Sequence, residues 1–410
     1  MDDGGFKMSA ANETKLNDSD LCHIGPGTPA GEMFRRYWLA ISRAEDLKEI
    51  PQAIKVLGEE LVLFRDGQGR LGLVGLHCSH RGSSLEYGDI EEKGIRCLYH
   101  GWLYDVEGNC LEQPLEPAGS TFCQKVKHPS YPVRELGGLL FTYLGPAKTN
   151  PPPLPRYSAL VREDGTRLVL PPRFWDYSWF NFWENVVDSL HAYVLHRDSR
   201  SERSWENAFW RHRGDHHLDA LPTEYGLKAI VRWPGPEPET EYVRLTTVAL
   251  PTVFSLGGRG EEDLGFERLL FVTPADDNNF MVYTSDFIPK DAANPVDERE
   301  KARRASPSAA NVKEYDKRKY VPFKGQVWKE DYVCQSTQGN VGYRRENLAT
   351  SDRAIILLRK QLLEAMETVR NGGTPKGIIP EAKANEMIFL EAYRAVLTKS
   401  QVAQLLNGRS

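Results

Sequence analysis

Two short loops, Cys78-Ser79-His80 and, sixteen residues on, Cys97-Leu98-Tyr99-His100, constrain this 410-residue chain more than any other feature. Each loop offers one thiol and one imidazole, so the fold must bring two turns face to face before either sulfur has a use. Together they form a set of two sulfurs and two nitrogens. Zinc accepts such a set tetrahedrally. A two-iron, two-sulfide cluster also accepts it, with both cysteines on one iron and both histidines on the other. Zinc fingers usually open on a cysteine pair and close on a histidine pair, whereas each loop here is mixed. Gly82 and Gly101 follow the turns, where backbone N–H groups could reach cluster sulfides. Trp102 and Tyr104 read as packing that shields the site, and His77, which breaks the spacing, as an exposed or capping histidine. Cys22, Cys110, Cys123 and Cys334 read as ordinary buried thiols.

The loops sit in β-type texture. Short apolar runs between Ile54 and Tyr143 are punctuated by glycine, and Asp66-Gly67 and Glu107-Gly108-Asn109 predict hairpin turns. Asn150-Pro151-Pro152-Pro153 reads as a stiff connector. The organisation predicted is a lead-in over 1–45, with an amphipathic stretch Met33 to Ile41, an all-β domain over 46–150 and a second domain over 151–410. In the second domain Leu227 to Trp233, Tyr242 to Phe254, Phe266 to Val272 and Phe280 to Phe287 predict one antiparallel meander. A helix over Arg353 to Arg370 follows the capping residues Thr350-Ser351-Asp352, carries an apolar stripe and ends at Gly372-Gly373. A last helical region is predicted over Pro380 to Leu406. The charged stretch Lys290 to Lys319 reads as an excursion from the core.

A helix from about Phe182 to His196 carries the second group. Asn185, Asp188 and His191 are spaced by three and share a face. His196 lies five beyond His191, about 140° away on an ideal helix. One metal could take both only if a helix end or a π-type bulge corrected the angle. The spacing alone is equally that of a helix with two surface histidines.

The pattern Cys-Ser-His-Arg-Gly-Ser-Ser-Leu … Cys-Leu-Tyr-His-Gly-Trp-Leu-Tyr-Asp, followed by Asn-x2-Asp-x2-His-x4-His, resembles the large (alpha) subunits of Rieske non-haem iron ring-hydroxylating oxygenases. The likeness runs from about Gly25 to Arg370. The phthalate-dioxygenase-like group is similar in Gly25-Pro26-Gly27-Thr28-Pro29, in Phe34-Arg35-Arg36-Tyr37-Trp38, and in Gln338-Gly339 and Ser351-Asp352. The resemblance implies an α+β fold: an all-β Rieske domain joined to a helix-grip (START-like) catalytic domain with an antiparallel sheet and helices. It implies that Cys78, His80, Cys97 and His100 hold a Rieske [2Fe–2S] cluster. It also implies that His191, His196 and a carboxylate bind mononuclear Fe(II) on one face, with Asp188 and Asn185 as catalytic residues beside it. Lys329-Glu330-Asp331 matches the family's acidic stretch, so Asp331 is taken as the carboxylate; Glu330 and Asp352 are the alternatives. Asp188 matches the aspartate that bridges to a cluster histidine of a neighbouring subunit, the position of His100, and it can fix the His191 tautomer. Such bridging implies a head-to-tail ring, here a homotrimer.

The implied reaction uses O2 and electrons from NAD(P)H through a separate flavin or iron–sulfur reductase, with or without a ferredoxin; the chain shows no Gly-x-Gly-x-x-Gly loop. The substrate expected is an aromatic compound bearing a carboxylate, hydroxylated or O-demethylated. Cis-dihydroxylation of an aromatic carboxylate such as a phthalate is the alternative. Readings of another class are a Rieske electron carrier and a zinc-stabilised ligand-binding protein. Arg244, on a predicted strand, could pair a substrate carboxylate bidentately or stand as a solvated strand arginine. Trp205, Phe209 and Trp210 read as packing, and His212, His216 and His217 as a solvated cluster.

Composition sets outer bounds. With 52 basic and 57 acidic residues the formal charge is −5, without the basic excess of a nucleic-acid binder. No apolar run approaches the ~18 residues of a membrane span. The N-terminus lacks the apolar middle of a signal peptide, and six cysteines are too few for a disulfide scaffold. A cytoplasmic location is the expectation.

Overall fold

The computed structural model describes residues 15–146, 150–196, 214–256, 266–290 and 327–408. Most of the charged stretch Lys290 to Lys319, with Trp205, Phe209, Trp210 and His212, lies outside them.

The glycine-punctuated runs of the N-terminal part form two four-stranded antiparallel sheets. One has the order Gln52–Val56, Glu59–Arg65, Leu71–Gly75, Ser130–Tyr131; the other runs Asp89–Glu91, Gly94–Arg96, Leu103–Tyr104, Cys110–Glu112. Both expected hairpin turns are present and use one device. Asp66 Oδ1 accepts from the backbone N–H of Gln68 and Arg70, at 3.1 and 2.8 Å. Asp105 Oδ1 does the same for Glu107 and Asn109, at 3.0 and 2.7 Å. Val62, Phe64, Val74, Leu85, Ile95 and Tyr104 form one core with Cys78 and Cys97, so both thiols are anchored by hydrophobic packing.

A third sheet, of Trp38–Arg43, Leu139–Tyr143 and Val133–Leu136, leans on the C-terminal part. Thr273 Oγ1 donates to Ala40 O at 2.6 Å and the Tyr283 hydroxyl to Ile41 O at 2.7 Å. The amphipathic stretch expected over Met33 to Ile41 is therefore two elements. A helix, Pro29–Phe34, starts on the Thr28 cap and is followed by the strand Trp38–Arg43. Pairing of Trp38-Leu39-Ala40 with Leu139–Tyr143 prevails over continued helix.

The C-terminal part is built on an eight-stranded antiparallel sheet: β1 (Gly165–Trp175), β2 (His217–Pro222), β3 (Gly226–Pro234), β4 (Thr240–Ala249), β5 (Val253–Leu256), β6 (Glu267–Asp276), β7 (Asn279–Pro289) and β8 (Tyr393–Thr398). Its order is β1-β7-β6-β5-β4-β3-β2, with β8 beside β4. The meander over 225–288 is present, but the run Tyr242 to Phe254, expected as one strand, is the hairpin of β4 and β5; β1, β2 and β8 join it. Five helices matter here: α1 (Trp179–Val187), α2 (His191–Leu195), α3 (Val327–Thr337), α4 (Arg353–Arg370) and α5 (Lys399–Leu406). Leu358, Leu362 and Met366 of α4 are buried with Trp179, Trp183, Leu227 and Val248, as the stripe predicts. Asp352 stands at the α4 N-cap, but its carboxylate accepts from Ala349 N at 2.6 Å and not from the helix.

The single helical region expected over Pro380 to Leu406 is two strands followed by a helix, the first, Met387–Ile388, pairing in parallel with Arg156–Tyr157. Tyr393–Thr398 pairs with Thr240–Leu245, the half of β4 that β5 does not cover. Only then does Thr398, in a capping box with Gln401, open α5. Ladder bonding along an open strand edge outweighs the helical pattern. Among the described residues no helix is long and apolar enough to cross a membrane. The α+β architecture is the one expected.

Candidate metal centres

The two N-terminal loops close alike. Cys78 N donates to Ser83 O at 2.9 Å and Gly82 N to Cys78 O at 2.8 Å; Cys97 N donates to Trp102 O at 2.9 Å and Gly101 N to Cys97 O at 3.0 Å. The two glycines adopt φ of +77° and +74°, a region costly for other residues, and a Cβ on Gly101 would meet Pro114 Cγ at 2.7 Å. The Gly82 and Gly101 N–H groups are thus used in closing the turns.

The four donors are layered. Cys78 and Cys97 are buried, His100 is half-buried and His80 exposed. The two imidazoles stand 4.5 Å apart, and Trp102 stacks on His80 at 4.5 Å. Tyr104 is more than packing, since its hydroxyl lies 3.2 Å from Cys78 Sγ. Burial raises the Cys78 thiol above its ordinary value against that contact, so a bound cation is what would hold it as thiolate. Behind the loops the buried His128 has Nε2 2.7 Å from Gly75 O and Nδ1 2.7 Å from Ser79 Oγ. A carbonyl only accepts, so Nε2 carries hydrogen. Burial lowers the His128 pKa and keeps the ring neutral.

Among the described residues, one group of three or more His, Cys, Asp or Glu donors lies within 4.8 Å of one another, and it does not include these four. An inner pair of sulfurs and an outer pair of imidazoles fits a two-metal group.

The converging group is His191, His196 and Asp331. The continuous helix expected over Phe182 to His196 is broken in two. α1 ends at Val187, and Asp188 (φ −78°, ψ 86°) donates its N–H to Glu184 O at 3.0 Å. Asp188 Oδ1 then accepts from Leu190 N at 3.0 Å and His191 N at 3.3 Å, starting α2 afresh. Short polar side chains compete in this way for backbone N–H groups. His196 is the C-cap of α2, a helix end of the kind the angular argument required. The two rings sit 5.4 Å apart and nearly perpendicular, at 83°.

α3 supplies the carboxylate. Asp331 Oδ1 lies 3.1 Å from His196 Nε2 and 3.6 Å from His191 Nε2, with Asn185 Nδ2 at 3.4 Å from the same oxygen. Glu330 is on the other side of His196, its Oε2 2.7 Å from Nδ1. Asp352, at the start of α4, does not join the group. Asp188 Oδ2 is 3.7 Å from His191 Nδ1, just beyond hydrogen-bonding range. Burial opposes ionisation of Asp188, yet His191 and the two backbone N–H groups outweigh it and hold its carboxyl below the usual range.

Arg244 on β4 is buried. Its Nη1 donates to Ser189 O at 3.3 Å, in the break between α1 and α2, and among the described residues the guanidinium has no other hydrogen bond and no carboxylate partner. On the ladder it stands opposite Val231, which packs with Leu190 and Tyr193. The reading of it as a solvated arginine does not hold. Sequence reasoning missed the placement of Glu330, Tyr104 and His128; only adjacency to Asp331 hinted at the first.

Residues 37–132 match the family model for the Rieske [2Fe-2S] domain. The chain is 33% identical over 385 residues to the phenoxybenzoate dioxygenase subunit alpha of Ectopseudomonas oleovorans, covering 88% of this chain and 87% of that protein. It is 31% identical over 384 residues to the 5,5'-dehydrodivanillate O-demethylase oxygenase subunit of a Sphingobium species, covering 90% and 84%. The fold is also similar to a crystal structure of dicamba monooxygenase, with a TM-score of 0.63 at 18% identity, over 82% of this chain and 98% of that one.

Proposed function

This chain belongs to the Rieske non-haem iron oxygenases as an oxygenase alpha subunit, and from that premise we propose that it hydroxylates or O-demethylates an aromatic carboxylate. It is the terminal component of a multicomponent system, an oxidoreductase that incorporates oxygen from O2. In our reading residues 46–150 form the Rieske domain and 151–410 the catalytic one. Cys78 and Cys97 would hold the inner iron of the cluster and His80 and His100 the outer. His191, His196 and Asp331 would hold Fe(II), leaving positions open on the far side. When bound, the cluster delivers single electrons and the iron activates O2. The electrons are proposed to come from NAD(P)H through a separate reductase, with or without a ferredoxin.

The protein's own groups have separable tasks. Asp188 ties the start of α2 and stands beside His191 Nδ1, so Nε2 is the nitrogen left to ligate. Asn185 lends an amide hydrogen to Asp331 and helps aim it. Tyr104 can donate to the Cys78 sulfur and moderate its charge. Arg244, a cation without a carboxylate partner among the described residues, is our choice to receive the substrate carboxylate. Phenoxybenzoate and dehydrodivanillate, in the names of the two relatives, are both aromatic acids.

The observation that carries the proposal is the convergence of His191, His196 and Asp331 within 4.8 Å, from α2 and α3, with Arg244 bonded to Ser189 O two residues before His191. The test is turnover with NADH and a generic reductase against a panel of aromatic carboxylates and methoxylated aromatics, with product analysis. Products from the acids but not from their methyl esters support it. A colourless protein that holds zinc and lacks acid-labile sulfide would sink it. A red-brown protein in which His191→Ala alters neither iron content nor O2 uptake would leave an electron carrier.

A further inference from the structure

We propose that Glu330 is a positioning residue for His196, so that α3 holds both edges of one metal-binding imidazole. The inference rests on the reading of His191, His196 and Asp331 as the Fe(II) site. Glu330 and Asp331 are consecutive on α3, so their side chains leave the helix about 100° apart. Instead of aiming at one point they bracket a ring. Glu330 Oε2 lies 2.7 Å from His196 Nδ1, and Asp331 Oδ1 lies 3.1 Å from Nε2.

The chemistry of those two contacts differs. An ionised carboxylate only accepts, so Nδ1 carries hydrogen and donates it to Glu330. In the neutral ring this leaves a lone pair on Nε2, facing another carboxylate oxygen. A lone pair and a carboxylate at that distance repel unless a cation stands between them. Glu330 therefore selects the tautomer that makes His196 a ligand, before any metal arrives. It does so with no exposed surface of its own, whereas His196 and Asp331 keep 6% and 8%.

The two histidines are thus held unequally. Asp188 spends one oxygen on the backbone of α2 and leaves the other 3.7 Å from His191 Nδ1. Glu330 makes a full hydrogen bond. Iron retention should therefore depend on Glu330 more than on Asp188, and Glu330, a rival ligand by sequence, is assigned to support the ligand.

The experiment measures the Fe(II) dissociation constant by chelator competition on purified protein with its cluster intact. It is paired with the EPR spectrum of the Fe(II)–nitric oxide adduct, whose rhombicity reads ligand geometry. Glu330→Gln keeps an oxygen acceptor and loses the charge; the constant should rise about tenfold with a narrow, near-native spectrum. Glu330→Ala loses both and should weaken binding by up to about a hundredfold, with a broadened spectrum. Asp188→Asn should bind as wild type, and Asp331→Ala should not bind. Wild-type constants and spectra for both Glu330 variants would overturn the proposal. So would abolished binding in Glu330→Ala with only weakened binding in Asp331→Ala, since Glu330 would then be the ligand. Loss of the cluster together with the iron in Glu330→Ala, while Glu330→Gln stays native, would mark a merely structural role and overturn it too. If His191→Ala binds iron as tightly as wild type, the iron-site reading itself has failed.

Discussion

Asp188 serves the backbone with one oxygen and His191 with the other, and that division predicts how it fails. Asp188→Asn keeps an oxygen for Leu190 N and His191 N, so α2 should still start and both metals should remain. The negative charge beside His191 is lost, and turnover should fall by about a hundredfold or more, the upper end of such outer-shell effects. Metal analysis with single-turnover kinetics checks this; loss of iron would make Asp188 a ligand. Arg244→Ala removes a charged hydrogen-bond partner worth about 1.5–3 kcal/mol, so KM for a carboxylated substrate should rise about 10- to 150-fold. A neutral analogue should be turned over unchanged. Equal losses for both would place Arg244 outside the substrate site.

Among the elements, α1 leads into the proposed iron-binding segment and is clamped from behind. The buried Glu184 carboxylate pairs with Arg344 and, through both oxygens of Glu346 as well, shares Arg359 of α4. Arg359 Nη1 also reaches Asp18 near the N-terminus at 2.8 Å. Glu184→Ala takes one carboxylate from the buried Arg359 and the half-buried Arg344, both of which keep Glu346, and should cost about 1.5–3 kcal/mol. The melting of the C-terminal part, followed by tryptophan fluorescence, should fall accordingly, while the visible spectrum of the cluster persists to higher temperature. Unchanged melting would deny the clamp its role.

The loop element has its own lever, His128, which ties Ser79 of the ligand loop to Gly75 of the adjoining strand. Its folded pKa is depressed by burial. The stability it contributes is therefore whole above the unfolded value of about 6.5 and is lost as pH falls through the folded one. Cluster retention on heating should decline from pH 7 to pH 5 in the wild type. His128→Gln, which can still donate to Gly75 O, should flatten that slope; an unaltered slope would shift the cause elsewhere.

At the scale of the whole molecule, the outer imidazoles lie beside exposed aromatic side chains, Tyr99 against His100 and Phe122 against Trp102. Apolar patches of this kind mark contact with another protein. The proposed ring of subunits predicts a mass in solution of three times 46.5 kDa, and sedimentation equilibrium at 0.1 and 0.5 M salt checks it. A monomer at both would remove the bridging role proposed for Asp188.

The two loops proposed to hold the cluster were legible because each is local: Cys-x-His and Cys-x2-His each fit on one tight turn, and sequence spacing is then nearly spatial spacing. The α4 stripe was legible for the same reason, its period being set by the helix itself. The helix break at Asp188 was not, because it depends on one side chain winning two backbone hydrogens. The strand Tyr393–Thr398 was not, because its partner, the uncovered half of β4, is remote in sequence. Which of Glu330 and Asp331 faces Nε2 of His196, and that Arg244 lies buried beneath Ser189, were likewise matters of tertiary structure. Neighbouring carboxylates on α3 differ by one residue in sequence and by opposite edges of an imidazole in space, and only the docking of α3 against α2 separates them.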